Sequence, residues 1–96
     1  DKRNIIYTLD FLAEVLWSES ESREAVVLWG AAAAIREEIG SPLSPDGKEL
    51  RDRQLDRAGT VLGEDAYAAA WEEGRGLTWE RAVEYVLVEV LAAAGS

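Results

Sequence analysis

The chain has 96 residues, 48% of them apolar, which is enough for one small domain with a packed core. Nineteen acidic against ten basic residues give a formal charge of −9, and no basic cluster follows the sequence, so direct binding to nucleic acid is not expected. Cysteine and histidine are absent, which excludes disulfides, thiol chemistry and the usual zinc and haem ligand sets.

The first helix is predicted over residues 4–17, where apolar residues recur at the i, i+3 and i+4 spacing of a helical face. The predicted inward face consists of Ile5, Leu9, Leu12, Ala13 and Leu16. Three bulky residues, Ile6, Phe11 and Trp17, lie off this stripe. We therefore expect them to remain on the exposed side of the helix and to form a protein-interaction surface.

A second helix is predicted over residues 23–39. It ends at Gly40, which suits the left-handed conformation after a helix, with Pro42 beyond it. Trp29 is its largest residue, and we expect it to be buried between the first two helices.

Ser44 is the predicted N-cap of a third helix, with Pro45 at its first position, and Gly63 ends it. Its predicted inward face consists of Leu50, Gln54, Ala58 and Val61. A fourth, short helix is predicted over residues 64–73.

The glycines Gly74 and Gly76 indicate a turn after the fourth helix, and Thr78 is the predicted N-cap of a fifth. The valine-rich segment that follows has the β propensity of a strand, but its acidic residues recur with a helical rather than an alternating period, which favours a helix. Residues 92–96 are expected to fray.

No constellation typical of an enzyme appears in the sequence. The pairs Glu37-Glu38 and Glu72-Glu73 are adjacent on helices, so their carboxylates point about 100° apart and do not converge on one substrate. The segment 46–49 (DGKE) lacks the further ligands of a calcium loop. We therefore expect no catalytic activity, no cofactor and no bound metal.

Part of the chain resembles a helix pair of a tetratricopeptide (TPR) repeat, in which small residues let two helices cross and an aromatic fills the seam. The positions that carry this resemblance are Leu12, Ala13, Leu16, Ala25, Trp29 and Ala32. The chain departs from the repeat pattern near Ser20, where a turn glycine is usual, and at Leu16, where a tyrosine is usual.

The wider chain, from about residue 4 to residue 88, is similar to the C-terminal TPR-like domain of actinobacterial-type LuxR-family and signalling-ATPase transcriptional regulators. The segments that carry this similarity are 28–32 (LWGAA), 62–64 (LGE) and 67–75 (YAAAWEEGR). The resemblance implies a module of a larger bacterial regulator whose ATPase and DNA-binding or cyclase domains lie elsewhere. The absence of Met agrees with a domain taken from a longer, cytoplasmic chain.

The predicted architecture is therefore all-α, a single domain of five antiparallel helices. Residues 4–39 would form a degenerate TPR-like hairpin, and residues 44–94 a three-helix cap of the kind that closes a helical solenoid. The predicted function is a non-catalytic protein-interaction module whose partner is the parent's upstream repeats or another peptide or protein. The alternative is a self-associating domain that dimerises its parent. Neither nucleic acid nor membrane is an expected partner.

Overall fold

The computed structural model describes residues 1–92, with only the backbone of Val90, and this part of the chain is all-α, as predicted. Five α-helices occupy Lys2–Ser18 (α1), Ser22–Ile39 (α2), Pro45–Leu62 (α3), Glu64–Arg75 (α4) and Trp79–Tyr85 (α5). A π-helical turn, Val86–Val90, continues α5. The predicted fraying of residues 92–96 falls almost entirely outside the described residues. None of the helices described is long and apolar enough to cross a membrane.

Helix ends follow the capping residues of the sequence. The Ser44 and Thr78 hydroxyls accept hydrogen bonds from the backbone N–H groups of Gly47 (3.1 Å) and Arg81 (3.2 Å), which confirms both predicted N-caps. Gly40 has φ = 66°, the predicted left-handed end of α2. The start of α1 was predicted too late, because the Asp1 carboxylate caps it by accepting from the backbone N–H of Arg3.

Helix α2 is the centre of the fold and contacts each of the other four helices. Its residues from 25 to 32 (AVVLWGAA) are all buried. A helix that is apolar on every side is stable only when it is covered on every side, and this segment meets that condition. The core is therefore arranged around α2. A TPR-like pairing of α1 with α2 stays a prediction.

The crossing of α2 and α4 depends on glycine. A Cβ added to Gly30 would lie 2.6 Å from the Trp71 carbonyl oxygen, and one added to Gly74 would overlap the Val27 carbonyl oxygen. The interpretation of Gly74 as a turn residue was therefore wrong, because α4 continues through it to Arg75. Glycine fits at both positions because it has no Cβ atom, and the two helix backbones approach one another too closely to leave room for one.

Two helical faces differ from the predicted ones by a rotation about the helix axis. The buried residues of α1 are Ile6, Leu9, Ala13 and Leu16, and Ile5 and Leu12 are only partly buried. In α3, Ala58 is buried but Leu50 and Val61 are 54% and 65% exposed. Both helices have apolar residues on more than one side, so periodicity alone did not determine which side faces α2.

Candidate protein-interaction surface

The three residues predicted to form an interaction surface lie in three different environments. Ile6 is 1% exposed and belongs to the core, so the expectation that it lies on the exposed side of α1 was wrong. Trp17 is partly buried, and its ring centroid lies 5.8 Å from that of Trp29. Phe11 is 58% exposed, as expected. The three therefore do not form one surface, and only Phe11 offers a large apolar side chain to a partner.

Phe11 lies within an exposed apolar row on the outer side of α1, which we call the α1 ridge. The ridge consists of Tyr7, Phe11 and Val15, which are 62%, 58% and 36% exposed. Residues four apart lie one above the other on a helix, so these side chains form a continuous stripe. Within residues 1–92 the stripe is uncovered, because α1 packs extensively only against α2 in this part of the chain.

An apolar groove lies between α1 and the segment formed by α5 and its π-helical turn, and we call it the α1/α5 groove. Its volume is about 260 Å³. Asn4, Ile5, Thr8 and Leu9 form the α1 wall, and the opposite wall is formed by Val83, Val86 and Leu87. Residues on both walls recur at intervals of four, so the groove runs along the helices for about one turn.

The second wall lies partly in the π-helical turn. Val86 is partly buried against the core, whereas Leu87 and Val88 are 58% and 60% exposed. A π-helical turn accommodates an extra residue and so rotates the following side chains relative to a regular α-helix. Three successive apolar residues are divided between the core and the surface, because successive residues of a helix point in different directions. The valine-rich segment is helical, as predicted, but its π-helical geometry had no signal in the sequence.

Acidic side chains accompany the apolar residues of this surface. Glu80 and Glu84 lie four positions apart on α5, so they share one side of that helix, and both are exposed. None of the residues that line the α1/α5 groove is charged. A partner for this surface should therefore be apolar at its centre and basic at its edge.

The opposite flank of α1 is closed by a cluster of charged groups. The Asp10 carboxylate lies 2.9 Å from Nη2 of Arg36 on α2 and 3.3 Å from Nη2 of Arg51 on α3. All three side chains are mostly buried, and the Arg51 guanidinium lies 5.1 Å from the ring centroid of Trp29. Glu14 extends this link by accepting a 2.6 Å hydrogen bond from Gln54.

This cluster joins three helices, so the outer side of α1 and the α1/α5 groove are the parts of this helix that remain available to a partner. Sequence reasoning missed the cluster. The available signal was an aspartate in the middle of a mostly apolar helix.

Trp29 is fully buried, which confirms the prediction made for it, although it also contacts α3 through Arg51. Within residues 1–92, no group of three or more carboxylate, imidazole or thiol side chains is placed to hold a metal ion. Comparisons with protein-family models, with curated proteins and with solved structures give no match to the chain.

Proposed function

We propose that this chain is a non-catalytic protein-interaction module that binds a helical segment of its parent protein along the outer side of α1. The observation that supports this proposal is the exposed α1 ridge with its two large aromatics, next to the apolar α1/α5 groove. Contiguous apolar surface of this kind is typical of interaction sites. The parent that the sequence resemblance suggests is a cytoplasmic bacterial transcriptional regulator or signalling ATPase.

A helix is the partner that suits this geometry best. Both walls of the groove are formed by helical rows, so a third helix can lay its own apolar row between them, with anchors at i, i+3, i+4 and i+7. Tyr7 and Phe11 on the ridge and Leu87 on the second wall are all more than half exposed and provide large areas for such anchors. The net charge of −9 and the exposed Glu80 and Glu84 favour a partner with a basic edge.

A labelled helical peptide with a leucine stripe and lysines elsewhere is a direct probe of this surface. We expect it to bind, with fluorescence anisotropy as the readout. We expect Phe11→Ser and Leu87→Ser each to weaken binding about tenfold, which corresponds to about 1.4 kcal/mol of lost apolar burial. The same peptide with glutamate in place of lysine should bind more weakly, because it is repelled by the acidic rim.

Leu50→Ser is the matched control. Leu50 is exposed to nearly the same degree as Leu87, 54% against 58%, but it lies on α3 and outside the groove. We expect this variant to bind the peptide as the unchanged chain does. Equal losses in Leu50→Ser and Leu87→Ser would contradict the proposal, because binding would then follow general surface hydrophobicity. Circular dichroism of each variant shows whether the fold is intact.

Self-association is the second candidate function, because the same apolar surface can pair with a second copy. Light scattering coupled to size-exclusion chromatography distinguishes the two. We expect a monomer at all concentrations, since two copies that each carry a charge of −9 repel one another. A dimer that Phe11→Ser or Leu87→Ser dissociates would favour the alternative and overturn the proposal of a helical segment of the parent.

A further inference from the structure

A second cavity lies between α2, α3 and α4, away from the α1/α5 groove. We call it the basic cleft. Its volume is about 520 Å³, within the range of roughly 300–1,000 Å³ typical of small-molecule sites. Apolar residues from all sides line it, including Leu43 from the segment between α2 and α3, Leu55 from α3 and Trp71 from α4. No residue is shared with the α1/α5 groove.

The charge of this cleft is opposite to that of the protein. Four of the ten basic residues line it, Arg36, Lys48, Arg51 and Arg75, against two acidic residues, Glu37 and Asp52. The lining therefore carries a formal charge of +2 on a chain whose total is −9. A concentration of positive charge in a concave, largely apolar site attracts anions.

Two of these cations are held in place before any ligand arrives. The side chains of Arg36 and Arg51 are only 14% and 12% exposed, and both guanidinium groups pair with Asp10 behind the cleft. Nη1 of Arg36 also donates to the Ser41 carbonyl oxygen at 3.1 Å. The Nε atom of Arg36 is buried and has no hydrogen-bond partner. The contacts with Asp10 and Ser41 fix the position of the Arg36 guanidinium group at the wall of the cleft.

The other two cations are more exposed than Arg36 and Arg51. Arg75 pairs with Glu37 at 2.6 Å and Lys48 pairs with Asp52 at 2.8 Å, and both acids are more than half exposed. Exposed ion pairs contribute little stability, so either cation can exchange its partner for a ligand at low cost. The cleft thus combines two mostly buried guanidinium groups with two more exposed cations that an anion can reach.

We propose that the basic cleft binds a small organic carboxylate with an apolar body. The carboxylate lies among the cations, and the body packs on Trp71 and Leu55. Guanidinium groups suit a planar carboxylate. A carboxylate rather than a phosphate dianion fits the charge, because Asp10 behind the two arginines lowers the net charge of the surroundings to about +1.

Phenylbutyrate is a suitable probe, with phenylbutanol and phenylbutylamine as controls of the same shape. In proton–nitrogen correlation spectra we expect phenylbutyrate to shift the indole N–H signal of Trp71 and leave that of Trp79, which does not line the cleft. The alcohol should bind more weakly and the amine should not bind. Equal binding of acid and alcohol would overturn the proposal, because the cations would then have no role.

Lys48→Gln and Arg53→Gln form a matched pair for calorimetric titration with phenylbutyrate. Both residues lie on α3, both are paired with an acid four positions away, and their side chains are 70% and 72% exposed. Only Lys48 lines the cleft. We expect Lys48→Gln to weaken binding about fivefold and Arg53→Gln to leave it unchanged. Equal affinities in the two variants, or no binding to the unchanged chain, would refute the site.

Discussion

Gly74→Ala provides a direct test of the packing between α2 and α4. The added methyl group would overlap the Val27 carbonyl oxygen, and it would lie 2.9 Å from the Val27 carbonyl carbon and 3.0 Å from the Ala31 nitrogen. All three are backbone atoms of α2, so no side chain can rotate away to relieve the overlap. The two helices must separate instead, and α2 is the centre of the core.

The magnitude follows from two opposing effects. Forcing an extra methyl into a packed interior costs about 1–3 kcal/mol, and more where only backbone can move. Alanine recovers about 1 kcal/mol because it favours the helix over glycine. Since the contact here is with backbone on every side, we expect a net loss of about 2 kcal/mol or more. For a domain of this size that corresponds to a fall in Tm of about 8–16 °C.

Urea and thermal unfolding followed by circular dichroism and tryptophan fluorescence measure this effect. Gly59→Ala is the control, because Gly59 also lies inside a helix but an added Cβ would meet only Tyr67 Cγ at 3.9 Å, an ordinary contact. It should stabilise the domain by about 0.5–1 kcal/mol. If Gly74→Ala were as stable as the unchanged chain, the close approach of α2 and α4 would be refuted.

Three further predictions concern the core and its charged groups. Asp10→Ala should lower the free energy of unfolding, measured with urea, by about 3–5 kcal/mol, because it removes the carboxylate that pairs with two mostly buried guanidinium groups. Asp52→Ala removes one partner of an exposed ion pair and should lower it by less than about 1 kcal/mol. Trp29→Ala should cost about 3–5 kcal/mol, and a loss below about 1 kcal/mol would contradict its burial. Burial, against an opposing effect of Arg23, raises the pKa of Tyr85 to about 12 from an ordinary value near 10. The folded chain then retains a proton that the unfolded chain loses between these values, so stability should fall over this pH range. Tyr85→Phe should lack this part of the decline. If the free energy of unfolding of Tyr85→Phe and of the unchanged chain fell equally with pH, the raised pKa of Tyr85 would be contradicted.

Local signals in the sequence predicted the helices well. Ser44, Pro45 and Gly63 determine both ends of α3, and Thr78 determines the start of α5, because capping depends on a few neighbouring residues. The class of the fold followed from the same signals together with helical periodicity. The burial of Trp29 followed from its size and its place in an apolar helix.

Long-range packing was less accessible from the sequence. Helical periodicity does not distinguish Ile5 from Ile6, and only the position of α2 determines that Ile6 is the buried one. Gly74 was predicted to be a turn residue, and only the backbone of α2 opposite it shows that it allows a close helix contact instead. The basic cleft combines residues from three helices and the α2–α3 connection, so no single segment contains its pattern.

The dependence of α2 on α4 has a consequence for synthesis on the ribosome. When α2 leaves the exit tunnel, α1 is already available to cover one of its sides. The side that carries Gly30 and Ala31 stays uncovered until α4 has been made. At about 5–20 residues per second, the chain between Ile39 and Arg75 takes roughly 2–7 s to be made. During this interval the central helix of the domain is exposed on one side. The nascent α1–α2 pair is therefore the species that a chaperone would bind. It is also the species through which neighbouring chains on a polysome would aggregate.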